Sequence, residues 1–448
     1  MINLKKYAAA ITAAAAALMI VSGCGNGTAG NGNTATGELS SAETTASGGE
    51  TLSAETTASA GETPSAETTA AAEGQKADES SSKEEDPTPS DEPSADTDEK
   101  KEVNMEIRDI SSVELLKEIR IGWNLGNTLD ATGDKTLGAE THWQPTTTNT
   151  YMMQLLKDSG FDIVRIPVSW GEHMASSGDY KVDPEWMSRV HEIVDYGIDN
   201  GLYVILNTHH EEWYMPTEDD KAQDIEQLKA LWQQIAEEFK GYDEHLIFEG
   251  TNEPRLRGTS LEWTGGTPDS RAIVGEYAKT FYETVRASGG NNAKRHLMVT
   301  GYAAASGRES LEDIWLPDNG DDKVIVSVHA YLPYDFALNV SGTDKWSVEK
   351  DTGDIDTFLK NLDELFISKG IPVMIGEFGV LNKDNLDDRI ACTEYYVSEA
   401  RKLGIPMLWW DNNAFHGNGE NFGIMDRSMP PVWKAQKLVD AMIKAAKG

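Results

Sequence analysis

Cysteine is nearly absent from this chain of 448 residues, which contains only Cys24 and Cys392. Two cysteines permit at most one disulfide, and none if Cys24 is chemically modified. The fold must therefore be stabilised by a hydrophobic core. Cys392 falls in a segment with helical periodicity, where a buried thiol behaves as a small apolar side chain. The sequence thus excludes the small, disulfide-rich class of secreted domains.

Basic residues are also scarce, since 39 lysines and arginines stand against 75 aspartates and glutamates, which gives a net charge of −36. Such a balance argues against nucleic acid and against anionic membrane surfaces as partners. Residues 25–103 hold 18 acidic and 4 basic residues, and so contribute −14 of this charge. Much of the negative charge therefore lies outside the part of the chain that can fold.

The first 24 residues have the composition of a targeting segment. Lys5 and Lys6 precede an alanine-rich apolar run at residues 7–20, which is too short for a comfortable membrane span. The sequence Val-Ser-Gly-Cys at residues 21–24 resembles a bacterial lipoprotein cleavage box. We predict a lipoprotein signal peptide with Cys24 as the lipidation site, so that lipid chains hold an extracellular protein at the membrane. The alternative is an ordinary signal peptide and a fully secreted protein.

Large apolar side chains are almost missing from residues 25–104, which consist mainly of Gly, Ser, Thr, Ala, Glu and Pro. Such a segment cannot bury enough surface to offset its conformational entropy, so we predict a disordered, acidic linker. An imperfect repeat starts at residues 41, 53 and 65, but no copy carries a hydrophobic face. The linker is expected to act as an extended stalk between the anchor and the folded domain.

From residue 105 onward, short apolar runs alternate with longer amphipathic segments. The apolar runs predict eight buried strands, at residues 120–126, 162–169, 203–210, 246–252, 296–301, 324–331, 372–379 and 406–411. The amphipathic segments predict helices at residues 151–159, 186–200, 225–239, 271–287, 355–369, 386–403 and 432–444. This alternation predicts an α/β fold of the (β/α)8 TIM-barrel type over residues 105–448. A doubly wound open sheet is the alternative, but the sequence has no glycine-rich dinucleotide fingerprint.

Polar and aromatic residues stand where the predicted strands end. The carboxyl ends of the strands form the active-site mouth of a TIM barrel. Two glutamates, Glu253 after strand four and Glu377 in strand seven, would face each other there. Glycoside hydrolysis uses such a pair, with retention when the carboxyl groups are about 5 Å apart and inversion when they are about 6.5–9.5 Å apart. The other candidates near strand ends are Arg165, His209, His210, Asn252, His329, Tyr331 and Trp410.

Some of these side chains have chemistry that suits such a pair. Arg165 and Tyr331 could donate to the carboxylate of Glu377. Asn252 could contact the 2-hydroxyl of a sugar, an interaction that strengthens in the transition state. Trp410 offers an apolar face for a pyranose ring. Four further tryptophans in loops could line a glycan groove: Trp143, Trp213, Trp263 and Trp346.

Seven motifs in order carry a resemblance to a known family. They are Gly-Trp-Asn-Leu-Gly-Asn-Thr-Leu-Asp at 122–130, Arg-Ile-Pro at 165–167, His-His at 209–210, Asn-Glu-Pro at 252–254, His-Ala-Tyr at 329–331, Gly-Glu-Phe-Gly at 376–379 and Trp410. Over residues 105 to 446 the chain resembles glycoside hydrolase family 5, particularly its bacterial endoglucanases. The resemblance implies a retaining endo-β-1,4-glucanase with Glu253 as acid/base and Glu377 as nucleophile. It also implies a β-glucan substrate, a monomer, and active-site roles for Arg165, His209, His329, Tyr331 and Trp410.

The adjacent pair His209-His210 could also indicate a metal site. Successive residues of a strand point to opposite faces, so we expect only His209 to face the mouth and His210 to line its edge. No third ligand follows at metal spacing, so we predict neither a metal nor another cofactor. Asn127, in the first loop, is a candidate for substrate binding, and its alternative role is to shape that loop.

Two other functions remain open at this point. A β-mannanase or another β-1,4-glycanase on the same scaffold would differ in how the pocket treats the 2-hydroxyl, which the sequence does not show. A non-catalytic, surface-displayed glycan-binding lipoprotein would be expected to lack one of the two glutamates. Both Glu253 and Glu377 are present, which favours an enzyme.

Overall fold

The computed structural model describes residues 104–448, and within them eight parallel strands close into a barrel. Each strand pairs with its neighbours in sequence, and β1 pairs with β8. The strands are β1 (Ile121–Leu125), β2 (Ile163–Ile166), β3 (Tyr203–Asn207), β4 (Leu246–Glu249), β5 (Leu297–Thr300), β6 (Val324–His329), β7 (Val373–Phe378) and β8 (Met407–Asp411). The predicted (β/α)8 barrel is confirmed. The predicted signal peptide and the linker up to residue 103 lie outside the described residues.

A short helix, α1 (Ser112–Leu115), precedes β1, and the other helices follow the strands. They are α2 (Thr150–Ser159), α3 (Pro184–Asp199), α4 (Lys221–Glu238), α5 (Pro268–Ala287), α6 (Arg308–Glu312), α7 (Tyr334–Ala337), α8 (Gly353–Leu365), α9 (Leu386–Lys402) and α10 (Gln436–Lys447). Their starts have local causes: Thr267 and Ser270 form a capping box at α5, with Pro268 at the first helical position. Between residues 104 and 448, none of the helices has the length and apolarity needed to cross a membrane.

Three boundaries differ from the sequence predictions in an informative way. The predicted strands 203–210 and 246–252 end early, at Asn207 and Glu249, because the residues that follow leave the sheet and turn into the mouth. The predicted helix 432–444 begins only at Gln436. Its first residues instead form β10 (Val432–Trp433), which pairs antiparallel with β9 (Met425–Asp426).

One end of the barrel interior is filled by aliphatic side chains, which we call the apolar layer. These buried residues are Ile163, Ile205, Ile247, Met298, Ile325, Met374 and Leu408. Gly122 completes this end, because a Cβ there would lie 2.5 Å from Ile163 Cγ2 and 2.6 Å from Leu408 Cγ. Branched aliphatic packing of this kind makes the barrel a solid core.

Two residues further along several of these strands, the inward side chains become polar. We call this set, Asn124, Arg165, Asn207, Glu249 and Ser327, the polar layer, and all five residues are fully buried. Side chains two positions apart on a strand share a face, so the two layers are stacked on the same inward side. Buried polar groups need partners, and the polar layer meets this need with internal hydrogen bonds.

The segment before β1 closes the barrel at the end where the apolar layer lies. Leu115, Leu116 and Ile119 pack into the apolar layer. Arg108 binds Glu244 and Glu118, and the backbone N–H of Met105 donates to the carbonyl of Gly241 at 2.7 Å. The amino ends of the strands are therefore covered, which leaves the carboxyl ends as the mouth.

Candidate active site

Arg165 lies at the centre of the polar layer and joins several strands. Its Nε–H donates to Glu249 Oε2 at 2.7 Å, and its Nη2 donates to Asn252 Oδ1 at 2.7 Å. Its Nη1 donates to Asn124 Oδ1 at 3.0 Å and to Glu377 Oε1 at 2.7 Å. Burial alone would lower the pKa of Arg165, but the charges of Glu249 and Glu377 outweigh it and raise the pKa. Arg165 is therefore a permanent cation that orients the groups around it.

Glu377, in β7, is held by a donor on each carboxylate oxygen. Oε1 accepts from Arg165, and Oε2 accepts from Tyr331 Oη at 2.7 Å. Burial, followed by the charge of Glu377, raises the pKa of Tyr331 well above its ordinary value, so the phenol remains a donor. A carboxylate fixed in this way is oriented for attack on a bound sugar.

Glu253 lies in the loop after β4 and forms a pair with His329. Its Oε1 is 2.8 Å from His329 Nδ1. Burial alone would raise the pKa of Glu253, but the hydrogen bond with His329 brings it below the ordinary value. Burial alone would lower the pKa of His329, but the charges of Glu377 and Glu253 raise it. Each group shifts the pKa of the other, so they titrate as a pair rather than as separate residues.

The two glutamates from distant parts of the chain meet across the mouth. One carboxylate oxygen of each and a ring nitrogen of His329 all lie within 4.8 Å of one another. Carboxyl groups about 5 Å apart suit a retaining glycosidase, whereas an inverting one needs room for water between carboxylate and sugar. The structure thus brings the two predicted catalytic residues to the spacing of a double displacement.

Asn252 is buried next to Glu253 and its orientation is set by Arg165. A guanidinium has only donors, so the Asn252 atom that faces it is the carbonyl oxygen Oδ1. Arg165 therefore fixes the orientation of the amide. A contact of Asn252 with the 2-hydroxyl of a sugar stays a prediction.

His209, His210 and Trp410 form an aromatic wall beside the carboxylates. The rings of His209 and Trp410 are 4° from parallel with centroids 5.6 Å apart, and the His210 ring meets His209 edge-on at 4.4 Å. Burial lowers the pKa of His209 well below its ordinary value and that of His210 to about 4, so both rings are neutral at neutral pH. Gly126 makes room for the wall, because a Cβ there would lie 2.7 Å from Trp410 Cζ2.

The prediction that strand alternation points His209 and His210 to opposite faces is wrong. β3 ends at Asn207, so His209 and His210 follow the strand and strand alternation does not direct them to opposite faces. His210 lies close enough to Glu377 for that charge to act on its pKa. Both histidines therefore belong to the wall of the mouth.

A third potential metal ligand does accompany the histidines, contrary to the expectation from spacing. A carboxylate oxygen of Asp130 and one nitrogen each of His209 and His210 lie within 4.8 Å of one another. The oxygens of Asp130, however, accept from the backbone N–H groups of Asn127 and Thr128 at 3.0 Å and 2.6 Å. These bonds give the carboxylate a role in the loop turn. The absence of a metal stays a prediction.

Asn127 occupies the turn after β1. Its φ of 56° is left-handed, a conformation that asparagine tolerates better than most residues. Together with the hydrogen bond to Asp130, this geometry supports the loop-shaping alternative. A direct contact of Asn127 with substrate stays a prediction.

Three residues of the site were not identified as candidates from the sequence: Asn124, Glu249 and Ser327. Each lies inside a predicted strand rather than at its end. Asn124 and Glu249 accept hydrogen bonds from Arg165, and Ser327 donates to Glu249. The signal that could have found them is the position two residues after an inward aliphatic residue, as in Ile247 and Glu249. A search restricted to the predicted strand ends does not find these residues of the polar layer.

The four loop tryptophans have different surroundings. Trp143 is 42% exposed, with its ring centroid 5.6 Å from that of His210. Trp263 is stacked under Arg255 at 4.1 Å, and Trp213 donates to Glu211 at 2.5 Å. Trp346 is buried against Tyr395 of α9. Trp143 therefore lies beside the aromatic wall, whereas Trp346 packs against an outer helix.

Comparison with known proteins identifies the family of the chain. The family described as cellulase (glycosyl hydrolase family 5) matches residues 129–416. Endoglucanase B of Ruminococcus albus is 57% identical over 338 residues, which cover 75% of this chain and 81% of that protein.

Two solved structures are similar to the barrel. A GH5-4 broad specificity endoglucanase from Ruminococcus champanellensis with bound cellotriose has a TM-score of 0.73 and 45% identity, and covers 76% of this chain and 100% of its own. A GH5 xyloglucan-specific endo-beta-1,4-glucanase from a metagenomic library, in complex with cellotriose, has a TM-score of 0.71 and 40% identity, and covers 74% of this chain and 98% of its own. These matches of sequence and fold show that the chain belongs to glycosyl hydrolase family 5.

Proposed function

We propose that this chain is a retaining endo-β-1,4-glucanase that hydrolyses β-glucans such as cellulose chains, mixed-linkage glucan or xyloglucan. The observation that carries the proposal is the close approach of the Glu253 and Glu377 carboxylates, within 4.8 Å. The endoglucanase names of similar proteins support the substrate class. Two carboxylates and water suffice for this chemistry, so the reaction needs no cofactor.

In the first step, Glu377 attacks the anomeric carbon and Glu253 protonates the departing glycosidic oxygen. Arg165 and Tyr331 fix the attacking carboxylate, so little reorganisation is needed when the bond forms. The proton comes from the pair formed by Glu253 and His329. The products are a covalent glycosyl-enzyme on Glu377 and a sugar released with its new hydroxyl.

In the second step, Glu253 acts as a base and takes a proton from water, which attacks the anomeric carbon of the intermediate. Its side chain is 15% exposed against 6% for Glu377, so it is the carboxylate that incoming water reaches more readily. Two inversions at one carbon give net retention. Glu253 is then protonated again, and Glu377 is free for the next turnover.

Within β-1,4-glycanases, a glucan substrate is favoured over mannan by the relatives. One solved neighbour is called broad in specificity and another xyloglucan-specific, and both are named endoglucanases or glucanases. The non-catalytic alternative is disfavoured because both glutamates are present and close together. Trp143, Trp410 and His210 supply faces along which a chain of pyranose rings can lie.

The proposal is tested by hydrolysis of a defined panel of soluble cellulose derivative, barley glucan, xyloglucan and mannan, with the anomer of the first product followed by NMR. We expect β-anomers to be released from the glucans first, because the β-linkage is retained. Release of α-anomers would contradict the covalent step, and preference for mannan would favour the mannanase alternative.

Glu377→Gln tests the nucleophile within the same panel. The amide keeps the size of the side chain but cannot form a glycosyl ester, so we expect kcat to fall at least about 10⁴-fold. Oligosaccharide affinity, measured by calorimetry, should persist. A variant that turns over at the wild-type rate would refute the assignment of Glu377.

We also propose that the enzyme is an extracellular lipoprotein monomer, held to the membrane through Cys24. The apolar run and the Val-Ser-Gly-Cys sequence support the anchor. Within the described part of the chain, residues 105–119 lie at the covered end of the barrel, away from the mouth. The residues through which such a tether would join the barrel are therefore at the end opposite the mouth.

Expression of the full chain in a bacterial host tests the anchor. We expect the wild type to incorporate labelled fatty acid and to partition with membranes, and Cys24→Ser to do neither. Cys392→Ser, which removes the other cysteine, is the control and should remain lipidated. Unlabelled wild-type protein in the medium would show an ordinary signal peptide. The oligomeric state is tested separately, by light scattering of the Cys24→Ser variant in the absence of detergent, for which we expect the mass of a monomer.

A further inference from the structure

We propose that Glu249 is a positioning residue of the reaction, which fixes the orientation and charge balance of Arg165 and, through it, the reactivity of Glu377. This inference rests on the proposed glycosidase function. Glu249 touches neither catalytic glutamate by hydrogen bond and so acts through Arg165.

Glu249 is fully buried, and each of its hydrogen bonds comes from a different strand. Oε2 accepts from Arg165 Nε in β2 at 2.7 Å and from Asn207 Nδ2 in β3 at 3.0 Å. Oε1 accepts from Ser327 Oγ in β6 at 2.6 Å. All three donors belong to the polar layer. The carboxylate therefore has one well-defined position, set by the barrel itself.

In that position Glu249 takes one N–H donor of Arg165 and leaves the others for Glu377 and Asn252. The Nε edge binds Glu249, which leaves Nη1 for Glu377 and Nη2 for Asn252. A planar guanidinium held along one edge cannot rotate about its long axis without breaking that bond. Glu249 thus directs Nη1 toward the nucleophile.

The charge of Glu249 matters as much as its shape. Arg165 is fully buried, and Glu249 and Glu377 are the two anions that compensate it. Without Glu249, the whole positive field of Arg165 would act on Glu377 and stabilise its free carboxylate. A carboxylate that is stabilised more in the ground state than in the transition state is a slower nucleophile.

Stability alone does not account for an anion at this position. A buried ion pair is often no more stabilising than packed apolar side chains of similar volume. Two residues earlier on the same strand, Ile247 fills the apolar layer with such packing. The change from isoleucine to glutamate along one inward face occurs where the strand reaches the site, and there it supplies a charge to Arg165.

The test compares three full-length variants on one soluble glucan. Glu249→Gln removes the charge and keeps the size, and Glu249→Asp keeps the charge. Glu244→Gln is the matched control, because Glu244 is also buried and ion-paired, with Arg108, just before the same strand at the covered end of the barrel. Each variant is measured for kcat, KM, the pH dependence of kcat/KM and melting temperature.

For Glu249→Gln we expect kcat to fall about 100-fold with little change in KM, because a small misplacement of a reacting group has this effect. The charged groups that face Glu249 are Arg165 directly and Glu377 beyond it. Removal of a negative charge makes the site more positive, so the acid limb of the profile moves to lower pH. Glu249→Asp should keep the position of that limb, and Glu244→Gln should keep both kcat and the limb.

Several outcomes would overturn the inference. Wild-type kcat in Glu249→Gln would do so, and so would a loss of activity with an unmoved pH profile, since that pattern indicates a purely structural role. If Glu249→Gln does not fold, Ser327→Ala decides: it removes one donor to Glu249, and we expect kcat to fall about fivefold, whereas unchanged kcat would refute the proposal. An inactive wild type would instead refute the proposed function.

Discussion

Along β4, Ile247 packs among aliphatic side chains, whereas Glu249, two residues further on, accepts three hydrogen bonds from polar ones. Both side chains point into the barrel, since they are two positions apart on a strand. The comparison of the apolar and polar layers therefore isolates side-chain chemistry from backbone geometry. The same strand delivers one residue for packing and one for the site.

The two layers differ in what they contribute to the free energy of folding. Full burial of an aliphatic side chain stabilises a fold by roughly 1.5–3 kcal/mol. Buried ion pairs such as Arg165 with Glu249 come close to breaking even, because desolvation offsets their attraction. We therefore expect substitutions in the apolar layer to lower stability and substitutions around the polar layer to lower activity.

After Glu377→Gln, Glu253→Gln should give the largest effect at the mouth. Loss of proton transfer to the leaving group is expected to lower kcat on glucans by about 10²–10⁴-fold, with an unchanged melting temperature. Aryl cellobiosides with acidic phenols, which leave without a proton, should lose much less in the first step. The control is Glu212→Gln, an exposed glutamate in the loop after β3. Equal losses on both substrates would show that Glu253 is not the acid.

Ile247→Ala should give the converse result in the apolar layer. Ile247 is fully buried, so its truncation is expected to lower the free energy of unfolding by about 2–5 kcal/mol. Denaturant titration measures this loss, and kcat well below the melting temperature should stay at the wild-type value. The exposed Val340→Ala is the control and should be close to neutral. A large drop in kcat for Ile247→Ala would remove the distinction between the layers.

The barrel was predictable because its signals are local. Each apolar run is short and buried on both faces, and each amphipathic segment has a helical period, so the eight units follow from the sequence. The start of α10 was not predictable, because Val432 and Trp433 pair with Met425 and Asp426 through a contact that only the folded chain makes. Tertiary pairing there overrides local periodicity.

The site residues at the ends of strands were predictable, whereas the residues that support them were not. Glu253, Glu377 and Arg165 follow from family motifs and from the rule for barrel mouths. The pairing of Glu253 with His329 depends on a distance of 2.8 Å across the barrel, which no spacing in the sequence encodes. Glu249 was missed because only strand ends were considered, although its spacing from Ile247 points to the same inward face.

His329→Gln tests the pair of Glu253 and His329. Burial and Arg165 lower the pKa of His329, but the charges of Glu377 and Glu253 outweigh them and raise it. In the wild type the proton of the pair is therefore lost only when the pH rises past this raised pKa. In the variant a carboxyl group alone must hold that proton. The basic limb of kcat/KM should therefore move to lower pH, by about one unit or more, with a tenfold loss of activity at neutral pH.

Stopped-point assays across pH 4 to about 9 follow this limb, with Tyr331→Phe as the comparison. Tyr331 contacts Glu377 and not Glu253, so its variant should lower kcat without moving the basic limb in the same direction. An unmoved limb in His329→Gln would mean that Glu253 holds its proton independently of the histidine.

Trp143→Ala should give the smallest effect and marks the outer edge of the polar site. Its indole is 42% exposed beside His210, so a sugar ring stacked there is only partly desolvated. We expect KM for long glucans to rise about fivefold, or about 1 kcal/mol, with kcat unchanged. Leu137→Ala, an exposed apolar residue of the same loop, is the control. Trp143 lies outside the groups that transfer protons, so its loss should not change kcat. A drop in kcat at saturating substrate would show that Trp143 and the aromatic wall beside it, and not only the polar layer, set the geometry of the reacting carboxylates.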